Sequence, residues 1–223
     1  MDSPLPMPSP PSAEPLHVLF VHGMGRTPLS TWPMLRRLRQ SGLQTHTFGY
    51  VAALESFNTI VARLILRIET LASESRYIVV GHSLGGVMLR AALNQMGPHT
   101  RRPDHLYLLG SPIVPARLAV RLRHRVLYRL LTGDCGQLLS SEERMRAIGP
   151  ASVPTTAIAG VRGITSLHGP FAREANDGVV AVCEVSADWL LRLTEVSVLH
   201  TFLPSSQKIA AIILSEAHAV TGN

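Results

Sequence analysis

Short apolar runs alternate with three- and four-residue apolar spacing along most of this chain. The runs predict strands over 17–21, 43–50, 77–80, 105–109, 155–159 and 196–199. Between them, Trp32, Leu35 and Leu38 suit a short helix ended by Gly42. Phe57, Ile60, Val61, Leu64, Ile65, Ile68 and Leu71 mark one apolar face of a longer helix. The stretch 87–93 reads as a helix that ends at Gly97-Pro98, and 208–219 reads as a closing helix. Strands that alternate with helices in this way predict a mostly parallel sheet of about six strands with helices on both faces.

The fourth and fifth strands are separated by a long segment over residues 111–150. Within it Arg117, Arg121, Arg125 and Arg129 fall four apart, and Leu118, Leu122, Val126 and Leu130 run beside them. As one helix these positions give a basic row next to an apolar row. The commoner outcome of such a pattern is a buried face beside a solvated one. A helix of this kind would also suit peripheral contact with an anionic lipid surface.

With 223 residues, 46% of them hydrophobic, the chain is long enough to bury the core of one domain. Residues 1–15 hold six prolines and predict an extended or disordered arm, with the folded domain over 16–223. The arm lacks a basic start followed by an apolar stretch, and no run approaches the roughly 20 apolar residues that cross a bilayer. The expectation is a soluble, cytoplasmic protein. Cys135 and Cys183 are far apart and form no metal-like spacing, which predicts neither a disulfide nor a metal site. The net charge of +6 is carried by arginine, with Lys208 the single lysine. Few aromatics and no nucleic-acid motif argue against a nucleic-acid partner. The oligomeric state is left open.

The chemistry starts at Gly81-His82-Ser83-Leu84-Gly85-Gly86, directly after a strand and directly before a helix. Glycines at 81 and 85 suit a sharp strand-to-helix turn where backbones approach closely, with a serine hydroxyl at its apex. Serine is a weak nucleophile at neutral pH and needs a histidine base held by a carboxylate. After a serine turn of this type the acid comes next and the histidine last. His200, beyond the last predicted strand, is the candidate base, and His168 precedes the favoured acid. Asp177, in Asn176-Asp177-Gly178-Val179-Val180, is the candidate acid. Glu174, Glu184 and Asp188 are nearby substitutes, and Asn-Asp-Gly is also an ordinary turn sequence. An attacked carbonyl oxygen needs backbone donors. The amide of Leu84, at a helix start, and that of Met24, in the loop His22-Gly23-Met24-Gly25-Arg26, are the candidates. His82 is expected to point away from the cleft into packing.

Together Val21-His22-Gly23-Met24-Gly25, the serine turn, Asn176-Asp177-Gly178-Val179-Val180 and the late His200 resemble the α/β-hydrolase lipases and esterases, most closely the bacterial triacylglycerol lipases. The likeness spans residues 16 to about 203 and implies a single-domain α/β-hydrolase fold. It implies Ser83 as nucleophile, Asp177 as acid, His200 as base, and Met24 and Leu84 as oxyanion donors, acting on a small-molecule acyl ester without a cofactor. In this fold an insert such as 111–150 covers the site as a lid. Some bacterial lipases hold calcium near the catalytic histidine, but residues 201–206 carry no carboxylate and predict none. A start so close to the His-Gly strand predicts that antiparallel strands preceding it in larger relatives are missing. The same machinery would serve a thioesterase, an amidase or an acyltransferase, and a hydrolase-like binding module remains the non-enzymatic alternative.

Overall fold

The computed structural model describes residues 15–221, with side chains described through Ala217. The proline-rich arm read at 1–15 lies outside the described residues except for Pro15. In chain order the main elements are β1 (His17–Val21), α1 (Trp32–Gln40), β2 (Gln44–Phe48), α2 (Phe57–Glu74), β3 (Tyr77–His82), α3 (Leu84–Gln95) and β4 (Leu106–Leu109). The insert follows as α4 (Arg117–Leu122), α5 (Val126–Leu139) and α6 (Glu142–Ile148). Then come β5 (Thr155–Gly160), β6 (Arg192–Val196) and α7 (Gln207–Thr221).

The six strands form one sheet in the order β2-β1-β3-β4-β5-β6, and every pairing is parallel. Parallel strands need helical crossovers, so both faces become covered and the inner strands read as continuous apolar runs. Side-chain alternation divides the interior in two. Leu19, Val21, Tyr77, Val79, Leu106 and Leu108 pack under α2 and α3. Val18, Phe20, Ile78, Val80, Tyr107 and Leu109 pack with residues of α1 and α7. The apolar face read on α2 is present, with Phe57, Ile60, Val61, Leu64, Ile68 and Leu71 buried. Each such side chain contributes about 1.5–3 kcal/mol on burial. Ser56 caps this helix by accepting from the Thr59 amide at 3.2 Å. Gly42 ends α1 with a positive φ of 89°, as its position suggested.

Two expectations from the pattern need correction. The last strand is Arg192–Val196, not 196–199. It is an edge strand of which only Val196 is buried, so its residues Arg192, Leu193, Thr194 and Glu195 form no apolar run. A tight turn, with the Val198 amide donating to the Val196 carbonyl at 2.8 Å, follows it, and a 3-10 turn over His200–Ser205 comes next. His200 therefore sits four residues past the strand. The arginine row, likewise, is not one helix. The chain leaves α4 at Leu122, and Arg125 has extended backbone (φ −76°, ψ 125°) before α5 begins. The expected apolar row is divided too, because Leu118 and Leu122 face an interior cavity while Val126 and Leu130 are about 70% exposed.

One side chain that the sequence did not single out holds the insert at both ends. Arg90, on α3 and 2% exposed, donates to the Pro112 carbonyl before α4 and to the Gly149 carbonyl after α6. Its guanidinium lies 5.4 Å from the centre of the Trp189 ring. Burial pushes its pKa down to about 10. From the same helix Asn94 donates to the carbonyls of Ile148 and Pro150, at 2.7 and 2.8 Å.

Candidate active site

The carboxyl ends of β1 and β3 bring two loops together, as open parallel sheets do where they bind ligands. Between β3 and α3, Ser83 adopts φ 53° and ψ −124°, a region that side chains rarely occupy and that costs about 1–3 kcal/mol. Its hydroxyl makes no capping bond to α3. The turn is possible because its glycines carry no side chain. A Cβ on Gly81 would lie 2.5 Å from the Gly86 nitrogen, and one on Gly85 would lie 2.5 Å from the His22 carbonyl oxygen. As the first residue of α3, Leu84 presents an amide for which the helix has no acceptor.

His200 and Asp177 meet across the ends of β5 and β6. His200 Nδ1 donates to Asp177 Oδ2 at 2.6 Å, and the Asp177 side chain is fully buried. The other carboxylate oxygen, Oδ1, accepts from the amides of Val179 at 2.9 Å and Val180 at 2.8 Å. The Asp177 carbonyl accepts from the His200 amide at 2.9 Å, which fixes the two backbones to each other. Asn176 supports this loop: its side chain donates to the Ile164 and Glu174 carbonyls and accepts from the Gly178 amide. The turn chemistry read from Asn-Asp-Gly is thus present, and Asp177 also reaches the imidazole.

Ser83, His200, His82 and Met24 line one cavity of about 260 Å³. Its apolar wall comes largely from the insert, through Ala116, Leu118, Ala119, Leu122, Tyr128 and Leu139. The substitute residues lie elsewhere. His168 and Asp188 are exposed, and Glu174 is exposed and paired with Arg117 at 2.9 Å. Arg117 holds the Glu174 carboxyl down at about 2. Glu184 is buried and accepts from the Arg117 and Ala181 amides at 2.6 and 2.7 Å, which ties the start of α4 to the acid-bearing loop.

Two histidines do more than the sequence indicated. His82 is packed and hydrogen-bonded as expected, but it does not point away from the cleft. Its ring lies 4.7 Å from that of His200, and its Nε2 donates to the His200 carbonyl at 3.1 Å. Burial pushes its pKa well below the ordinary histidine range, and the neighbouring His200 adds to that. His22 stacks on Tyr50 with ring centres 4.3 Å apart. Its Nδ1 donates to the Gly23 carbonyl at 2.8 Å, while Nε2 accepts from the Tyr50 amide at 3.4 Å. Burial lowers its pKa, which favours this neutral form. The Gly23 carbonyl also accepts from the Arg26 amide at 3.3 Å. In a trans peptide C=O and N–H point in opposite directions, so the Met24 amide is turned away from His22.

No group of three or more His, Cys, Asp or Glu side chains among the described residues could hold a metal ion, and no described helix is long and apolar enough to cross a membrane.

No family model and no curated relative matches the chain. Solved structures do. The mature lipase BlEst2 of Bacillus licheniformis superposes with a TM-score of 0.68 over 95% of each chain, at 16% identity. The metagenomic carboxyl esterase MGS0156 gives a TM-score of 0.69 over 98% of this chain and 79% of its own, also at 16% identity. RedJ, a thioesterase of the prodiginine biosynthetic pathway in Streptomyces coelicolor, gives 0.59 over 96% of this chain and 90% of its own, again at 16% identity. The chain has the single-domain α/β-hydrolase fold.

Proposed function

We propose that the protein is a serine hydrolase of carboxylic esters. The single observation that carries this reading is the buried Asp177–His200 hydrogen bond of 2.6 Å beside a cavity that His200 shares with the strained Ser83. Ser83 Oγ attacks the ester carbonyl while His200 Nε2 takes its proton. Asp177 keeps the imidazole proton on Nδ1 and stabilises the imidazolium that forms. The amides of Leu84 and Met24 receive the developing oxyanion, one at the N-terminus of α3 and the other oriented by the His22–Gly23 bond. The alcohol leaves with the proton from His200, and the same residue then activates a water that releases the acid from the acyl-serine. The apolar wall built by α4 and α5 takes the acyl chain, and the insert acts as its cover. The esterase and lipase likenesses favour an ester substrate. The RedJ likeness keeps a thioester as the second reading, since the triad acts on the carbonyl in either case.

A fluorophosphonate probe together with p-nitrophenyl esters of graded acyl length tests the reading. The expected result is stoichiometric labelling that vanishes in Ser83→Ala, with ester turnover lost in parallel. Absence of labelling in the wild-type protein refutes an activated serine. Preference within the series reports how much chain the insert accommodates. Leu118→Asp is expected to lower turnover of long esters more than that of short ones.

A further inference from the structure

The cavity wall is chemically divided. One side is the apolar surface of the insert. The lining also holds Arg26, in the loop after β1, and Thr201. Among the described residues that line the cavity, Arg26 alone carries a fixed charge. It is half-buried, and its guanidinium makes no hydrogen bond or ion pair with any described residue. Elsewhere in the fold Arg117 is matched by Glu174, Arg63 by Glu55, Arg76 by Asp104 and Arg144 by Asp134. A guanidinium that has lost part of its hydration without gaining a partner is poised for an anion, which it can bind through two parallel N–H donors. The turn that delivers it is tight, closed by the Arg26 amide on the Gly23 carbonyl with Gly25 at φ 65°. Arg26 is therefore fixed two residues from the proposed oxyanion donor. Its charge also reaches the site, as one of the smaller contributions, after burial and His200, that keep His82 neutral.

We propose that Arg26 selects esters whose alcohol portion carries an anionic group, a carboxylate or a phosphate. This rests on the ester-hydrolase reading. With the acyl chain on the apolar surface of the insert, the polar part of the lining, Arg26 and Thr201, is left for the leaving alcohol. Around it the surface is rich in arginine, and Arg121, Arg125 and Arg129 lie on the insert beyond the cavity. That general field speeds the approach of any anion, whereas a single partner inside the cavity discriminates between substrates.

The test compares 4-(butanoyloxy)benzoate with its neutral isostere 4-carbamoylphenyl butanoate, and a 4-phosphonophenyl ester as the doubly charged case. The readout is the ratio of kcat/KM for anionic over neutral ester. In the wild-type protein the ratio exceeds one. In Arg26→Gln it falls by at least about tenfold, the lower end of what one charge-assisted hydrogen bond contributes. Arg26→Lys keeps part of it, and the phosphonate against the carboxylate shows which anion fits. Moving the charge to the acyl side, with the p-nitrophenyl monoester of glutaric acid against p-nitrophenyl pentanoate, gives a ratio at or below one, because that charge meets the apolar surface of the insert. A wild-type ratio at or below one, or a ratio unchanged in Arg26→Gln, overturns the proposal while leaving the hydrolase reading standing. So does a ratio that collapses in the triple variant R121Q/R125Q/R129Q but not in Arg26→Gln, because the selectivity then belongs to the general field. Failure to cleave either ester, with no fluorophosphonate labelling, removes the hydrolase reading and this inference with it.

Discussion

Replacing Asp177 by asparagine changes one oxygen to an amide nitrogen and keeps the shape, so its effect can be followed atom by atom. Oδ1 of Asp177 holds two amides, those of Val179 and Val180, while Oδ2 holds only the imidazole. In Asp177→Asn the side chain can place its oxygen on one set or the other. Turning it toward His200 leaves two buried N–H groups facing an NH2, at about 1–3 kcal/mol each. Keeping it on the two amides only reverses the bond to His200, so this orientation is expected. The amide NH2 then faces Nδ1, which must accept, and the imidazole proton moves to Nε2. A protonated Nε2 in a neutral ring cannot take the serine proton. Where an amide fixes the wrong tautomer in this way, kcat falls about 10⁴-fold, which corresponds to about 5.4 kcal/mol at 1.36 kcal/mol per decade. The fold exchanges a charge-assisted hydrogen bond for a neutral one, a net loss of about 1–1.5 kcal/mol, and the melting temperature drops by about 2–6 °C. The assay is turnover of p-nitrophenyl butanoate beside a thermal melt on the same preparation. Glu174→Gln is the control. That carboxylate is exposed and bound to Arg117, so kcat is expected to change by less than about threefold. Turnover of Asp177→Asn within tenfold of wild type, in protein that still melts cooperatively, refutes the assignment of the acid.

What was legible in the sequence is what backbone sterics and burial dictate locally. The serine turn was readable because glycine is required at 81 and 85 by backbone atoms only 2.5 Å from where a Cβ would stand. The inner strands were readable because both faces of the sheet are covered, which forces apolar runs. The edge strand β6 was not, since with burial on Val196 alone its residues need not be apolar. The pairing of Asp177 with His200 was anticipated from chain order, while the network of amides that grips Asp177 depends on how the loop closes. The arginine periodicity misled because a four-residue spacing can continue across a break, here at the extended Arg125 between α4 and α5. Arg26 and Arg90 look alike in a string of letters. One lacks any partner beside the cavity and the other clasps both ends of the insert, a difference that arises only when distant carbonyls and carboxylates are brought near or kept away.

Gly85→Ala forces a methyl group against the His22 and Val21 carbonyls, which belong to the buried β1 and its loop. A loss of about 3 kcal/mol in urea unfolding is expected, and an unchanged midpoint contradicts the packing. Burial lowers the pKa of His22, His82 and His105 in the folded protein below 6.5. The unfolded chain therefore takes up protons near pH 6.5 that the fold refuses, and stability present above that pH is lost on acidification. The slope is up to about 1.4 kcal/mol per pH unit for each ring until its own lowered pKa is reached, and a flat urea-stability profile from pH 8 to 5 excludes it. Gly133, inside α5, gives the sharpest contrast between pattern and structure. Helix propensity alone says that alanine at a helical glycine stabilises by about 1 kcal/mol. Here the residue sits at φ 52° and ψ −143°, where α5 kinks, and a Cβ would lie 2.6 Å from the Ala52 carbonyl oxygen. Both the backbone strain and the collision reverse the sign, so Gly133→Ala is expected to destabilise by about 1–3 kcal/mol. A rise in melting temperature shows instead that α5 runs straight through this position, and the kink at Gly133 is then not part of the fold.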